Sequence, residues 1–325
     1  MNHDIIVIAA SAGGVETLRR LVELLPKNLS ASVFITLHVS RMGTSVMPSI
    51  LSRAGAMPAC HPIEGAAIQR GMIYVAPPDH HLLLRAQSIH LSHGPKENGT
   101  RPAADPMFRS AARMFGGRVI GVVLSGMLDD GSAGLEAIKA RSGITIAQDP
   151  ATALFPDMPK NAIARGVVDH IAPIDELAPL LVQLVQTPSA NAEPMSRTLE
   201  VETNMADLDL SILERDAQRG NPTDFTCPDC GGVLRRLDSD GGNAHFRCHV
   251  GHAWATESLQ TAQVERVEES LWAALRVLDE NAKLVRNLHT DAVARDLDGI
   301  AQHYGERLQE ISAHAAAIRD LLLAE

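Results

Sequence analysis

Up to about residue 186, short β-branched apolar runs alternate with stretches in which apolar positions recur every three or four residues. Ile5-Ile6-Val7-Ile8-Ala9-Ala10 has no polar position to turn toward solvent, the pattern of a strand buried on both faces of a parallel sheet. Thr17 to Leu25 follows with Leu18, Leu21, Val22 and Leu25 on one helical face. Val33–Leu37, Ile73–Val75, Val119–Leu124, Ile144–Ala147 and Val167–Ile171 predict further strands. Helices are predicted over roughly 46–54, through Met114 and on to about Lys139. Leu82–Leu84 and Ser88–Leu91 predict an antiparallel hairpin inserted between them. The alternation predicts an α/β, doubly wound (Rossmann-like) parallel sheet over residues 1–186.

The pattern then changes. Residues 187–224 are polar and weakly periodic, which reads as a linker with one short helix around Ala206–Gln218. Residues 225–256 carry little apolar material but three cysteines. From 257 to 325 there is almost no Gly or Pro, and Val267, Leu271, Leu275, Leu278, Ala282 and Val285 recur at helical spacing. Ile300, Tyr304, Leu308, Ile311, Ala315 and Ile318 do the same, so the C-terminal segment predicts an α-helical hairpin, broken near Asn287–Asp291.

Composition adds limits. The 325 residues, 45% of them apolar, suffice for two or three domains at about 150 residues each. A net charge of −10 argues against general nucleic-acid binding. No apolar run approaches the roughly 18 residues of a membrane span, and Met1-Asn2-His3-Asp4 does not open a signal peptide, so a cytoplasmic protein is expected.

The first strand runs into Ser11-Ala12-Gly13-Gly14, a tight turn before a helix whose free N–H groups suit an anion or a nucleophile that generates an oxyanion. The dinucleotide fingerprint fails here. Its three glycine positions hold Ala9, Ser11 and Gly14, and the second strand ends in His38 rather than an acid. The α/β-hydrolase elbow fails as well, since its order is Ser, acid, His and here His38 follows Ser11 directly. Serine after strand one and histidine after strand two suggest a nucleophile and its base. The loop after Val119–Leu124 supplies two candidates for the orienting carboxylate, Asp129 and Asp130, which spacing leaves open. Lone Cys60 reads as a small buried hydrophobe.

Residues 4 to about 186 resemble the catalytic domain of the chemotaxis protein-glutamate methylesterases. The resemblance rests on Ala10-Ser11-Ala12-Gly13-Gly14, on His38, and on Gly126-Met127-Leu128-Asp129-Asp130-Gly131, in that order. Tyr74-Val75-Ala76-Pro77-Pro78-Asp79-His80-His81 and Arg101-Pro102-Ala103-Ala104-Asp105 also match. It implies Ser11 as nucleophile, His38 as general base and acid, Asp130 as orienting carboxylate and the Met127 N–H in the oxyanion hole. Arg101 and Asp105 are implied to border the cleft. The implied activity is a serine esterase that hydrolyses glutamate γ-methyl esters on a helical receptor and releases methanol, with glutamine deamidation as a second reaction. Its competitor is a non-catalytic signalling scaffold. Leu128 departs from the small residue common in the family. Family members usually carry a receiver domain before the esterase; here none is expected, and control by aspartyl phosphorylation in cis is not expected either.

Cys227-x2-Cys230 followed by Cys248 and His252 has the spacing of a zinc ribbon, with His249 or His245 as alternative fourth ligands. Four protein ligands leave no open position, so a structural zinc is expected, tied to local folding and not to the cleft, and no cofactor for catalysis. Arg235 and Arg236 are offset by Asp238 and Asp240, so no nucleic-acid partner is expected of the ribbon. The C-terminal helices are expected to dock on the receptor or on a second copy of the chain.

Overall fold

The computed structural model describes residues 1–39, 45–207, 220–238 and 244–323. The chain divides into two units, Met1–Leu259 and Gln260–Glu325.

The first unit is built on the predicted parallel sheet. Its strands are β1 (Ile5–Ala10), β2 (Ser32–Leu37), β3 (Ala59–Cys60), β4 (Ile73–Val75), β7 (Val119–Val123), β8 (Ile144–Gln148) and β9 (His170–Ala172). They are ordered β3-β4-β2-β1-β7-β8-β9, and every pairing is parallel. Between β4 and β7, β5 (His81–Leu84) and β6 (Ile89–Ser92) form the antiparallel hairpin. Alternate residues of β1 serve opposite faces, as the period of a strand requires. Ile6, Ile8 and Ala10 pack with Leu18, Leu21 and Val22 of α1 (Gly14–Leu24), Leu51 of α2 (Met47–Ala54) and Leu177 of α6 (Ile174–Val185). Ile5, Val7 and Ala9 pack with Met107, Phe108 and Ala111 of α3 (Ala104–Phe115), Leu135 of α4 (Ser132–Ala140) and Met158 of α5 (Asp157–Ala164). The chain leaves β1 toward β2 on one side and returns through β7 on the other. The reversal of strand order therefore lies between β1 and β7, where such sheets open a crevice at their C-terminal edge.

The segment that reads as a linker contains α7 (Arg197–Ala206), capped by Ser196 Oγ accepting from the Leu199 N–H at 3.1 Å and packed against α3. The short helix expected around Ala206–Gln218 falls almost wholly outside the described residues. Next comes an antiparallel sheet of β10 (Asn221–Thr226), β11 (Val233–Asp238), β12 (Ala244–Cys248) and β13 (Ala253–Ala255), in that order. This ribbon is not a detached module. The Asn98 N–H donates to Ala253 O at 2.8 Å and the Ala253 N–H to Lys96 O at 3.2 Å, which adds residues 96–98 to the free edge of β13. Behind that edge lies a buried ionic group. Arg109 of α3 donates to both oxygens of Glu97, at 2.6 and 2.5 Å. Arg247 of β12 donates to Glu97 at 3.2 Å and to both oxygens of Glu202 of α7, at 3.2 and 3.1 Å.

The second unit holds most of α8 (Thr256–Ala294) and all of α9 (Asp298–Leu323). Ala282, Val285 and Ile311 pack between the two helices with Leu278, Tyr304 and Leu308, as the spacing predicts. The break between them falls at 295–297 rather than at Asn287–Asp291. Asn, His, Thr and Asp lower helix propensity without ending a helix. Termination instead uses Asp296 in the left-handed region (φ 55°), with the Leu297 N–H returning to Ala292 O at 3.0 Å. Among the described residues, no helix is long and apolar enough to cross a membrane.

Candidate active site

Parallel pairing of β1 with β2 aligns Ala10 with Leu37, and the His38 N–H continues that ladder by donating to Ala10 O at 3.2 Å. The next residues in register are Ser11 and His38. On the other side the Ser11 N–H donates to Ser125 O at 3.0 Å, so the chain leaving β7 runs along the serine. Gly13 turns the backbone at φ 70°, where a side chain is strained, and lets α1 begin at once. Gly126 is required by space instead: a Cβ there would lie 2.9 Å from Ser11 Cβ and 2.0 Å from Met158 Sδ.

His38 Nδ1 lies 3.1 Å from Ser11 Oγ, and His38 Nε2 lies 2.7 Å from Asp130 Oδ2. The histidine is partly open, whereas the Asp130 side chain is 2% exposed. Asp130 lies against the N-terminus of α3, where Oδ2 accepts from the Ala104 N–H at 2.6 Å and Oδ1 from the Asp105 N–H at 3.3 Å. These first N–H groups have no carbonyl partner within the helix, and they lie at the positive end of its dipole. Burial alone would raise the Asp130 carboxyl, but the hydrogen bond and charge of His38, with the two backbone donors, outweigh it and hold the group down at about 2. The site therefore contains a serine hydroxyl, an imidazole within reach of it and a fixed carboxylate, the set needed for acyl transfer.

The two acids of this loop, Asp129 and Asp130, have different partners. Asp129 faces away from His38 and accepts from Ser258 Oγ at 2.5 Å. Burial, with a hydrogen bond to Glu257, raises its carboxyl to about 7. Leu128 adopts φ 64°, an unusual conformation for a bulky side chain, and its carbonyl is held by Asn161 Nδ2 at 2.8 Å. Met127, before it, is half exposed.

Arg101 and Asp105 are both engaged by neighbouring groups of the fold. Arg101 donates to Asp79 Oδ1 at 2.9 and 3.1 Å and to the carbonyls of His93 and Gly94 at 3.0 and 2.7 Å, so it ties loops together. Asp105 is buried behind Asp130, where it accepts from the Gly134 N–H at 2.7 Å; burial and the Asp130 charge raise its carboxyl well above the usual range. The sequence reading passes over Asn98, which donates to Asp130 Oδ1 at 3.1 Å and to Asp105 Oδ2 at 3.2 Å. Its Asn-Gly dipeptide signals only a turn.

A second site lies in the ribbon. Cys227, Cys230, Cys248 and His252 bring one ligand atom each within 4.8 Å of one another, and this group could hold a metal ion. His252 presents Nδ1 at 3.7 Å from Cys227 Sγ and 3.6 Å from Cys248 Sγ, and the Cys230 and Cys248 sulfurs are 3.7 Å apart. A tetrahedral ion about 2.3 Å from each sulfur sets ligand separations of about 3.8 Å, so the donor set fits zinc. His245 and His249 are not in this group.

The protein-family model described as CheB methylesterase matches residues 6–181. The chain belongs to the CheB methylesterase family. A protein-glutamate methylesterase/protein-glutamine glutaminase of Pyrococcus abyssi is 38% identical over 185 residues, 56% of this chain and 50% of that protein. A putative enzyme of the same description from Leptospira interrogans is 33% identical over 187 residues, 57% of this chain and 97% of its own. Among solved structures, the Thermotoga maritima CheB methylesterase catalytic domain superposes with a TM-score of 0.55 at 31% identity, covering 57% of this chain and 100% of that one. The chain spans about half the length of relatives such as the Pyrococcus and Methanosarcina mazei enzymes. The family match ends before α7, the ribbon and the C-terminal helices.

Proposed function

We propose that the protein is a protein-glutamate methylesterase that hydrolyses glutamate γ-methyl esters on a helical, chemoreceptor-like protein and releases methanol. The observation that carries this reading is the line Ser11 Oγ, His38, Asp130, at 3.1 and 2.7 Å, on a chain of the CheB methylesterase family. Ser11 Oγ attacks the ester carbonyl while His38 Nδ1 takes its proton. The tetrahedral oxyanion forms beside the Met127 N–H. His38 returns the proton to the departing methoxide, and methanol leaves an acyl-enzyme on Ser11. His38 then takes a proton from water, which attacks the acyl group, and returns it to Ser11 Oγ as the acyl–oxygen bond breaks, so the glutamate carboxylate leaves and the serine hydroxyl is restored. Glutamine deamidation follows the same path with ammonia leaving. Residues 1–186 carry these steps, and the ribbon and helices add what the family's catalytic domain lacks. Methanol release from a methylated receptor fragment, wild type against Ser11→Ala, tests the reading.

The ribbon group holds one structural zinc. Its four ligands leave no position for substrate, so the ion's part is to close the two turns that carry them. Metal analysis of the full chain is expected to give one zinc per chain, and Cys227→Ser to lose it with faster amide exchange in β10–β13. A full chain purified without metal, and unchanged in exchange when zinc is added, overturns this assignment.

A further inference from the structure

Asp130 has four hydrogen-bond partners, and three of them belong to its own neighbourhood: His38 and the first N–H groups of α3. The fourth, Asn98, reaches from elsewhere. Its Nδ2 donates to Asp130 Oδ1 at 3.1 Å, while its Oδ1 accepts from the Ala255 N–H of β13 at 2.8 Å. The orientation of this amide is settled by its surroundings, since carboxylate oxygens face one end and a backbone donor faces the other. The Asn98 backbone is anchored to the same strand through Ala253 O. On the adjoining residue of the acid loop, Ser258, just past β13, donates to Asp129.

We propose that Asn98 is a positioning residue for the catalytic acid and that the ribbon sets Asp130 through it. The proposal rests on the esterase reading. Asp130 must present Oδ2 to His38 Nε2, and rotation of its carboxyl group would move that oxygen away. The Asn98 amide pins the other oxygen and prevents the rotation. Without the Ala255 N–H, Asn98 Oδ1 loses its donor, and the residue loses one of the bonds that hold it at φ 51°. The ribbon is thus a working part of the esterase although its metal ligands take no part in the chemistry.

The test uses the full chain. Glycine accepts a φ of 51°, so Asn98→Gly removes the amide without straining the backbone. It is expected to lower kcat about 10- to 100-fold with KM unchanged, the scale of a misplaced reacting group. Asn98→Asp keeps the shape but sets a third carboxyl against Asp130 and Asp105. It is expected to lower kcat further, because an ionised carboxylate cannot donate to Asp130 Oδ1 as the amide does and repels it instead. From the ribbon side, Ala255→Pro deletes the one N–H that Asn98 uses. That N–H points away from β12, since it meets Asn98 Oδ1 on the same edge where the Ala253 N–H and C=O meet residues 96 and 98. It should reproduce the kcat loss of Asn98→Gly, and the double variant should be no slower than either single one. Wild-type kcat in Asn98→Gly, or a loss that falls on KM instead of kcat, overturns the positioning role. Multiplicative losses in the double variant, or full turnover in Ala255→Pro whether or not it keeps its metal, overturn the coupling to the ribbon. Undiminished methanol release by Ser11→Ala refutes the esterase reading itself, a result separable from both.

Discussion

Ser11→Ala and His38→Ala are each expected to reduce turnover of a methylated receptor fragment by about 10³- to 10⁶-fold, the range for members of a catalytic triad. The residues act as one unit: without the imidazole the hydroxyl keeps its proton, and without the hydroxyl the imidazole has no nucleophile to activate. The double variant should therefore be little slower than either single one. Neither change should unfold the protein, because both side chains lie at the open edge of the sheet rather than in its core. Methanol release and thermal melting, measured together, check both halves. Independent, multiplicative losses would remove the serine–histidine assignment, and unchanged turnover in Ser11→Ala would remove the enzyme.

Arg247→Met is expected to destabilise the first unit by about 3–5 kcal/mol, the range for stripping one partner from a buried ion pair. The guanidinium is 4% exposed and lies between Glu97 and Glu202, both nearly as deeply buried. Removing it leaves two carboxylates with Arg109, which meets Glu97 at 2.5 Å but Glu202 only at 3.6 Å, and with His245 Nε2 at 3.1 Å from Glu202. The penalty comes chiefly from that stranded charge, not from an intrinsic worth of the pair. Arg247→Met combined with Glu202→Met should accordingly be more stable than Arg247→Met alone. Urea denaturation of the three proteins decides it. A single variant within about 1 kcal/mol of wild type, the value of a surface pair, would mean that the group is not buried as described.

Much of the domain matched by the family is legible in the sequence because its information is local. Apolar runs such as Ile5–Ala10 and Val119–Val123 carry the periodicity of strands covered on both faces. A serine and a histidine that end adjacent parallel strands meet once the register is set. Choosing between Asp129 and Asp130 needs the backbone, because the two neighbours point opposite ways. The docking of the ribbon is not legible for a different reason. Glu97 and Arg247 are 150 positions apart, and nothing local distinguishes charges destined for burial from charges on a solvated face. Glu202 lies in a stretch too polar to show a helical face, so the segment reads as a linker, whereas α7 buries that polarity against the two arginines. The late helix break follows the same rule: Asp296 takes a conformation that glycine usually marks.

The orientation of the His38 ring carries a chemical consequence. Serine proteases commonly present Nε2 to the nucleophile and Nδ1 to the acid; here Nδ1 meets Ser11 and Nε2 meets Asp130. When the ring is neutral, this arrangement places the N–H on Nε2, toward Asp130, and the lone pair on Nδ1, toward Ser11. An electrophilic label that reaches this ring from the Ser11 side is expected to meet Nδ1, because Nε2 is held against the Asp130 carboxylate. Alkylation of this histidine thus falls on Nδ1, the regiochemistry opposite to that of labels directed at the Nε2 of a serine protease.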